Sequence, residues 1–487
     1  MFHFSCVGDE LKESMEDIPD IYIAQRRWGI AVWKTLFGYG YLPYLNVLVF
    51  AAISTITVLY QLKLLGFRTL FAQVIYGMAY CACPVWYSLI GISHLSDVFA
   101  LSMLCSTLVV YAVTQLGGWR SILLSLIFMM AAMSIYQTSV FYVATLWMAW
   151  YASCLVRGGE SSFFKSAAKL SVTVIAGWGS CFAVSCILRR SGLVSLDVMH
   201  MIGHYQSYFS NGIREMLMNQ HPIDVCAQLW QLMLDVVAFA LGIKCVNGAV
   251  FSYPHFYYAA GGVMALLCCL VWLKKRSAWG TASLVAVILC TAVLPYTTYI
   301  ISVGTMTNLR MYMCTGVSAA YMWALVAERF PFDSRFGRGV VCVLGVLLLK
   351  GLYTYTESTR DVAWYAEQTK QQFFDIRDAA RAVAKQENLA EYKVLWVGDD
   401  WEGRVLPVRK ALDSVDNPFL TGWVQPFAVK NFAAYYGCGR MEWVWTLPAD
   451  LEPHVRTMPT WPHPGSVQRW GDDIIVKVHQ HQSPPEK

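Results

Sequence analysis

The stretch LSDVFALSMLCSTLVVYAVTQ, from Leu95 to Gln115, is long and apolar enough to form one membrane-crossing helix, because such a helix needs about 20 mostly apolar residues. Nine further segments share this character. They lie at about 41–62, 67–91, 119–135, 136–156, 166–188, 255–274, 278–303, 309–327 and 337–357. The sequence therefore predicts a polytopic α-helical membrane protein with about ten spans.

The overall composition agrees with this fold class. The 487 residues are 56% hydrophobic and 14% charged, whereas soluble domains carry about 25% charged residues. Nineteen Trp and 27 Tyr suit aromatic belts at two membrane interfaces. The cysteines lie mostly within apolar stretches and lack the spacing of a zinc site. The net charge of +5 does not indicate how the chain is oriented in a membrane, because orientation depends on where the Lys and Arg residues lie. We expect no nucleic-acid partner.

The positions of lysine and arginine predict the orientation, because cytoplasmic loops are enriched in both. If residues 1–40 lie outside, the inner loops hold 12 of them and the outer loops between spans hold five. The inner ones are Lys63, Arg68, Arg120, Arg157, Lys165, Lys169, Lys274, Lys275, Arg276, Arg329, Arg335 and Arg338; the outer ones are Arg189, Arg190, Arg214, Lys244 and Arg310. Both termini are therefore predicted to lie outside.

An eleventh apolar stretch, AQLWQLMLDVVAFALGIKC from Ala227 to Cys245, is ambiguous. It is shorter than the others, and Asp235 lies near its centre. If it crossed the membrane, the basic triplet Lys274–Arg276 would move outside, against the distribution of the other cations. We therefore interpret it as a re-entrant or surface-lying helix within an outer loop at 189–254.

The chain changes character after the transmembrane domain at 41–357. Residues 360–389 have helical periodicity, KVLWVGD at 393–399 predicts a buried strand, and AVKNFAAYYGCG at 428–439 predicts a helix closed by glycine. DDIIVKVHQ at 472–480 predicts a final strand. This alternation indicates a small α/β or α+β extramembrane domain at 358–487.

The first 40 residues form an acidic outer loop that has no span in front of it. GDELKESMEDIPDIYIAQRRW, from Gly8 to Trp28, holds six carboxylates and ends with two adjacent arginines. Either this short loop is translocated across the bilayer unaided, or a preceding helix is absent from this chain. We favour the second explanation. Charge density alone favours a solvated segment over a functional site.

Unusual polar residues gather at the outer face in this topology. Ionisable groups at membrane depth are energetically costly and often functional. A carboxylate beside fixed arginines could activate an acceptor hydroxyl while the arginines hold a lipid phosphate. Structural roles are open too: the arginines as juxtamembrane anchors, and Asp97 as the cap of the third span. The residues concerned are Asp9, Glu10, Arg26, Arg27, His94, Asp97, Tyr136, Gln137 and Arg310.

Several short motifs together resemble a known family. They are DEL…DIYIAQRRWG, LPYLNVLVFAA, CPVWYSLIGISHLSDVFALSM, MSIYQTSVFYVA, NLRMYM and, near the C-terminus, MPTWPHPGSV…IIVKV. Their order resembles the membrane glucosyltransferases that decorate bacterial O-antigen, including the phage-encoded serotype-converting enzymes. Arg26-Arg27-Trp28 stands where that family has Gly-Arg-Trp, and the family normally has a helix before the acidic loop.

The resemblance implies a polytopic glycosyltransferase of the GT-C type in the bacterial inner membrane, with both termini periplasmic. It would move glucose or a related hexose from a polyprenyl-phosphate donor to O-antigen or another lipid-linked or polymeric surface polysaccharide. It implies the general base among Asp9 and Glu10, donor-phosphate binding by Arg27, Arg310 and Arg26, and sugar or acceptor binding by Tyr136, Gln137, His94, Asp97 and Trp28. No metal ligand set is implied, although the acidic loop could hold a divalent ion.

Two other functions fit a protein of this class. A flippase or transporter of lipid-linked sugars would place charged residues near the bilayer midplane and use paired broken helices. Apart from Asp235, the charges are predicted at the outer face. An O-antigen polymerase would usually carry a large external loop between spans in place of a C-terminal domain of this size.

Overall fold

A computed structural model gives the fold. It describes residues 22–23, 25–37, 43–83, 85–86, 93–157, 163–192, 221–240, 278–301, 312–329, 374–384, 392–397, 440–444, 447–448 and 450–477, with scattered positions between 216 and 371. These residues belong to two compact units, one within Ile18–Thr356 and one within Glu357–Lys487. The predicted site residues Asp9, Glu10 and Arg310 lie outside the described residues, as does the helix predicted at 428–439.

The first unit is built from helices. In chain order they are α1 Trp28–Phe37, α2 Pro43–Leu65, α3 Leu70–Cys81, α4 Ser93–Gln115, α5 Gly118–Ile135, α6 Ser139–Arg157, α7 Phe163–Arg190, α8 Pro222–Ala240, α9 Ala278–Val293, α10 Thr297–Ile301 and α11 Cys314–Arg329. Within the described part of the chain, five are long and apolar enough to cross a membrane: α2, α4, α5, α6 and α7. They coincide with five of the predicted spans, and the total of ten stays a prediction.

Other predicted segments are interrupted in the structure. The segment at 67–91 contains a helix of only 12 residues, α3, whose N-terminus is capped by the Thr69 side chain. It ends at Cys81, shortly before Pro84, and proline disfavours helix in the residue that precedes it. In the segment at 278–303, a 3-10 turn at Leu294–Tyr296 contains Pro295 and separates α9 from α10. Apolar length alone therefore overestimates continuous helix here.

A buried polar network connects α2, α3, α4 and α6. The Gln61 Nε2 atom donates to Thr107 Oγ1 at 3.1 Å and to the Tyr142 hydroxyl at 2.7 Å. Its Oε1 atom accepts from the Tyr76 hydroxyl at 2.8 Å. Hydrogen bonds of this kind between membrane helices contribute about 0.6 kcal/mol each. The network specifies which helix faces meet inside an otherwise apolar bundle.

The bundle has two distinct ends. We call one the Arg157 end, where the Arg157 guanidinium donates to the Gly66 carbonyl at 3.3 Å and the Glu328 carboxylate accepts from the Thr69 amide at 3.2 Å. The ends of α2, α6 and α11 and the start of α3 lie at this end of the bundle. We call the other the Asp97 end. It collects the start of α4, the turn between α5 and α6, and helix α1, which packs on α5.

The second unit contains a four-stranded sheet. Its strands are β1 Lys393–Val397, β2 Arg440–Val444, β3 Val467–Trp470 and β4 Asp473–Lys477, in the order β2-β1-β4-β3. β1 pairs in parallel with β2 and β4, and β3 is antiparallel to β4. The strands predicted at 393–399 and 472–480 are confirmed. Residues 374–383, within the helix predicted at 360–389, are helical, and a short helix α12 spans Glu452–Thr457.

Candidate active site

A tight turn ahead of α1 separates two neighbouring arginines. The Arg27 amide donates to the Tyr22 carbonyl at 2.6 Å, and the Arg26 amide donates to the Ile23 carbonyl at 3.0 Å. Arg26 has a φ of 62°, a left-handed conformation that is uncommon for any residue other than glycine. After this turn the chain enters α1 at Trp28, and the two guanidinium groups contact different parts of the bundle.

Each arginine lies over an aromatic ring. The Arg27 guanidinium carbon is 5.0 Å from the ring centre of Tyr136, in the turn between α5 and α6. The Arg26 guanidinium carbon is 4.7 Å from the ring centre of Phe182 on α7. Such contacts contribute about 0.5–2 kcal/mol, depending on exposure. Tyr136 is buried and packs edge-on against Phe99 of α4, so the ring beneath Arg27 is held firmly.

Tyr136 and Gln137, the adjacent pair that we call the Tyr-Gln motif, both contact the turn ahead of α1. Besides the contact of Tyr136 with Arg27, the Gln137 Nε2 atom donates to the Gln25 carbonyl at 3.2 Å. Gln137 is exposed, and the neighbouring Trp28 is half-buried and packs against the helical core. The structure therefore brings Arg26, Arg27, Trp28 and the motif together at the Asp97 end.

Asp97 connects α4 to α1. Its Oδ2 atom accepts from the Trp33 indole nitrogen at 2.7 Å, and its Oδ1 atom lies 3.5 Å from the Lys34 ammonium. Both charged side chains are buried, at 7% and 8% exposure. Asp97 is the fifth residue of α4, so it does not occupy the capping position. His94 belongs to the same helix, and its side chain lies outside the described part.

Gly29 allows α1 to approach α5 closely. A Cβ atom built at Gly29 would lie 3.0 Å from the Ser134 Cβ and closer still to its hydroxyl oxygen. Glycine in a helix costs about 1 kcal/mol relative to alanine. The close contact explains its presence in the first turn of α1, and the same approach brings Arg27 to Tyr136.

For the sugar transfer that the family resemblance implies, we expect Gly29→Ala to lower kcat/KM by about 10²-fold, because misplacement of a substrate-positioning element by about 1 Å has effects of this size. Steady-state kinetics in membranes measure it. Gly77→Ala is the control, since a Cβ there meets nothing within 4 Å. The double variant Gly29→Ala/Ser134→Gly should recover most of the activity. Wild-type kinetics for Gly29→Ala alone would contradict the close approach.

Comparison with family models places the chain in a known group. The family described as Glucosyl transferase GtrII matches residues 1–326, about two thirds of the chain. The chain belongs to this family. No curated protein and no solved structure matches it. The resemblance to serotype-converting O-antigen glucosyltransferases is thereby confirmed, and with it a membrane glycosyltransferase.

The GtrII match covers every predicted site residue, including the three outside the described residues, whereas the described residues of the second unit lie beyond it. Three partners of the charged site residues were not predicted from the sequence: Trp33, Lys34 and Phe182. Lys34 shares one face of α1 with Ile30 and Ala31, at spacings of four and three residues. A lysine on the buried face of a short helix is a signal for a buried carboxylate partner.

No metal ligand set is predicted for this GtrII-family protein, and a divalent ion in the acidic loop stays a hypothesis. Within the ranges that the structure describes, no three His, Cys, Asp or Glu side chains form a cluster that could hold an ion. The acidic loop at 1–40, whose carboxylates could hold such an ion, lies outside those ranges up to residue 21.

Proposed function

We propose that this GtrII-family protein transfers glucose, or a related hexose, from a polyprenyl-phosphate donor to O-antigen or another surface polysaccharide on the periplasmic side. The reaction would take place at the Asp97 end of the bundle. The observation that carries the proposal is the pair of arginines held over Tyr136 and Phe182 at the end where α4 and α6 begin, within a chain of a glucosyltransferase family.

The chemistry suits these groups. When the hexose leaves its lipid phosphate, negative charge develops on the phosphate oxygens, and preorganised cations stabilise that charge most effectively. Arginine presents a planar set of donors that matches a phosphate. Arg27 lies over a buried ring that itself packs on Phe99, so its position is largely fixed before the donor binds.

The proposed general base is Asp9 or Glu10, as the resemblance implies. An extended chain spans at most about 3.3–3.6 Å per residue. The twelve steps from Glu10 to Tyr22 could therefore bridge about 40 Å. This length allows either carboxylate to approach an acceptor hydroxyl beside Arg27, and the proposed base would accept the hydroxyl proton as the new glycosidic bond forms.

The distribution of cations supports the proposed orientation. Lys63, Arg68, Arg120, Lys165 and Lys169 border the helix ends around Arg157, and membrane proteins concentrate such residues on the cytoplasmic side. The Asp97 end would then face the periplasm, where O-antigen is accessible.

We expect a tag after Lys487 that carries a cysteine or a protease site to be accessible from the periplasm. The proposed topology places both termini on the periplasmic side. Membrane-impermeant labelling of spheroplasts measures this. A tag introduced at residues 158–162, which separate α6 from α7 in the chain, is the matched control and should react only after the inner membrane is breached. The reverse pattern would overturn the proposed side of the membrane.

The direct test uses purified protein in proteoliposomes with radiolabelled polyprenyl-phosphate glucose and lipid-linked O-antigen. We expect glucose to appear covalently on the polysaccharide without a change in its chain length. Movement of the lipid-linked sugar across the bilayer without covalent transfer would indicate a flippase. Longer polysaccharide chains would indicate a polymerase.

A further inference from the structure

Helix α1 depends on its attachment to the bundle. It has only ten residues, and isolated helices shorter than about 12–15 residues are marginal in water. Leu36 and Phe37, near its end, are exposed at 71% and 67%, whereas Ile30, Ala31 and Lys34 are buried. The structure of α1 must therefore come from contacts made by its buried face.

Two of these contacts end on a single carboxylate. The Trp33 indole nitrogen and the Lys34 ammonium, from adjacent residues of α1, meet the two oxygens of Asp97 on α4 at 2.7 Å and 3.5 Å. Adjacent helical residues are about 100° apart around the axis. Both contacts can form together only over a narrow range of rotation of α1, so the carboxylate specifies rotation as well as attachment.

This rotation bears on the arginine at the start of α1. Arg27 directly precedes α1 and lies seven residues before Lys34, or about 10 Å along a helix axis at 1.5 Å per residue. The Arg27 carbonyl accepts from the Ile30 amide at 2.9 Å, so the backbone of Arg27 is attached to the first turn of α1. A rotation of α1 that separated Lys34 from Asp97 would also move Arg27 away from Tyr136.

We propose that the buried Lys34–Asp97 pair is a positioning device that sets the rotation of α1 and thereby places Arg27 over Tyr136. The inference rests on the proposed function and deepens it: Asp97 is a positioning residue that acts through α1, in place of the sugar or acceptor contact predicted from the sequence. Its Oδ2 atom accepts a hydrogen bond from Trp33, and its buried Oδ1 atom is ion-paired with Lys34 at 3.5 Å but accepts no hydrogen bond from the described residues. Removal of one partner leaves a buried charge unmatched, whereas removal of both leaves none.

The test compares Asp97→Asn, Lys34→Met and the double variant. We expect each single variant to lower kcat/KM for the polyprenyl-phosphate glucose donor by about 30-fold to 100-fold, mainly through kcat. In the double variant no unmatched charge is buried, and the introduced amide oxygen can still accept from Trp33. Its kcat/KM should return to within about tenfold of wild type. A double variant as inactive as Asp97→Asn would mean that Asp97 acts on substrate directly, which overturns the proposal.

Hydrogen-exchange mass spectrometry of residues 28–37 supplies a readout that does not depend on activity. We expect faster exchange in both single variants, near-wild-type exchange in the double variant, and unchanged exchange in α4 and α6. Asp235→Asn is the matched control. That carboxylate is also buried, but it is hydrogen-bonded to Gln231 and Tyr299 elsewhere in the bundle. Wild-type exchange in Asp97→Asn would overturn the proposal.

The two measurements separate this proposal from the proposed function. If the exchange pattern follows the expectation while wild-type protein transfers no glucose, the attachment of α1 stands and the assigned reaction fails. If wild-type protein transfers glucose and the exchange of α1 is the same in all variants, the reaction stands and the positioning device fails.

Discussion

Replacement of both Asp9 by Asn and Glu10 by Gln is expected to abolish sugar transfer, with the protein still inserted and folded. Neither amide can accept a proton from the acceptor hydroxyl, and loss of a general base typically lowers a rate by about 10²-fold to 10⁴-fold. The single variants identify the base: the one that removes it should reproduce the loss, and the other should retain activity. Transfer of radiolabelled glucose in proteoliposomes measures each variant.

Glu16→Gln is the matched control, because it removes one charge from the same acidic loop. If the loop acts only through its total charge, this control and the single variants at Asp9 and Glu10 will have similar, small effects. Full activity in the double variant would remove the acidic pair from the mechanism. Protein amount and helix content in the membrane must match wild type for the comparison to hold.

Arg27→Gln is expected to lower kcat by about 10²-fold to 10³-fold, the usual effect of the loss of one preorganised donor at a site of developing charge. Arg27→Lys should restore little of it. The Arg27 guanidinium lies over the Tyr136 ring, at 5.0 Å from its centre, and the ammonium of lysine offers neither the planar stacking surface nor paired donors to a phosphate. Steady-state kinetics at saturating acceptor measure the effect.

The same substitution elsewhere separates a site effect from a general effect of charge. Arg120→Gln removes an exposed arginine at the start of α5, at the Arg157 end, and should leave kcat within about twofold of wild type. Arg26→Gln should have a smaller effect than Arg27→Gln if Arg26 mainly anchors the turn on Phe182. Near-wild-type kcat in Arg27→Gln would exclude this arginine from donor binding.

The most accurate sequence-based predictions rest on signals that are local and strong. The spans at 95–115 and 166–188 are continuous apolar runs, and the structure has the helices Ser93–Gln115 and Phe163–Arg190 there. The strand at Lys393–Val397 is also a compact apolar run. β2 and β3 were missed because RMEWV and VQRW mix polar and aromatic residues, and strand pairing, which sequence periodicity does not report, defines them.

Some features of the candidate site could likewise be predicted from the sequence, and others could not. The clustering of Arg26, Arg27, Tyr136 and Gln137 could be anticipated, because topology and motif order both place them at one face. The partners of the charged groups could not. Lys34 lies 63 residues from Asp97 in the chain, and Phe182 is separated from Arg26 by more than 150 residues. Such pairings depend on how the helices rotate and cross, and residue order does not report this.

Apolar length and residue composition were enough to establish a helical membrane protein, and short motifs in order were enough to suggest its family. Both are properties of consecutive residues, since each spanning helix satisfies its own backbone hydrogen bonds in the bilayer. The rotation of α1, the pairing of Lys34 with Asp97 and the placement of Arg27 over Tyr136 became apparent from the packed helices. They depend on close contacts between distant segments, which form only when the surfaces of those segments fit together.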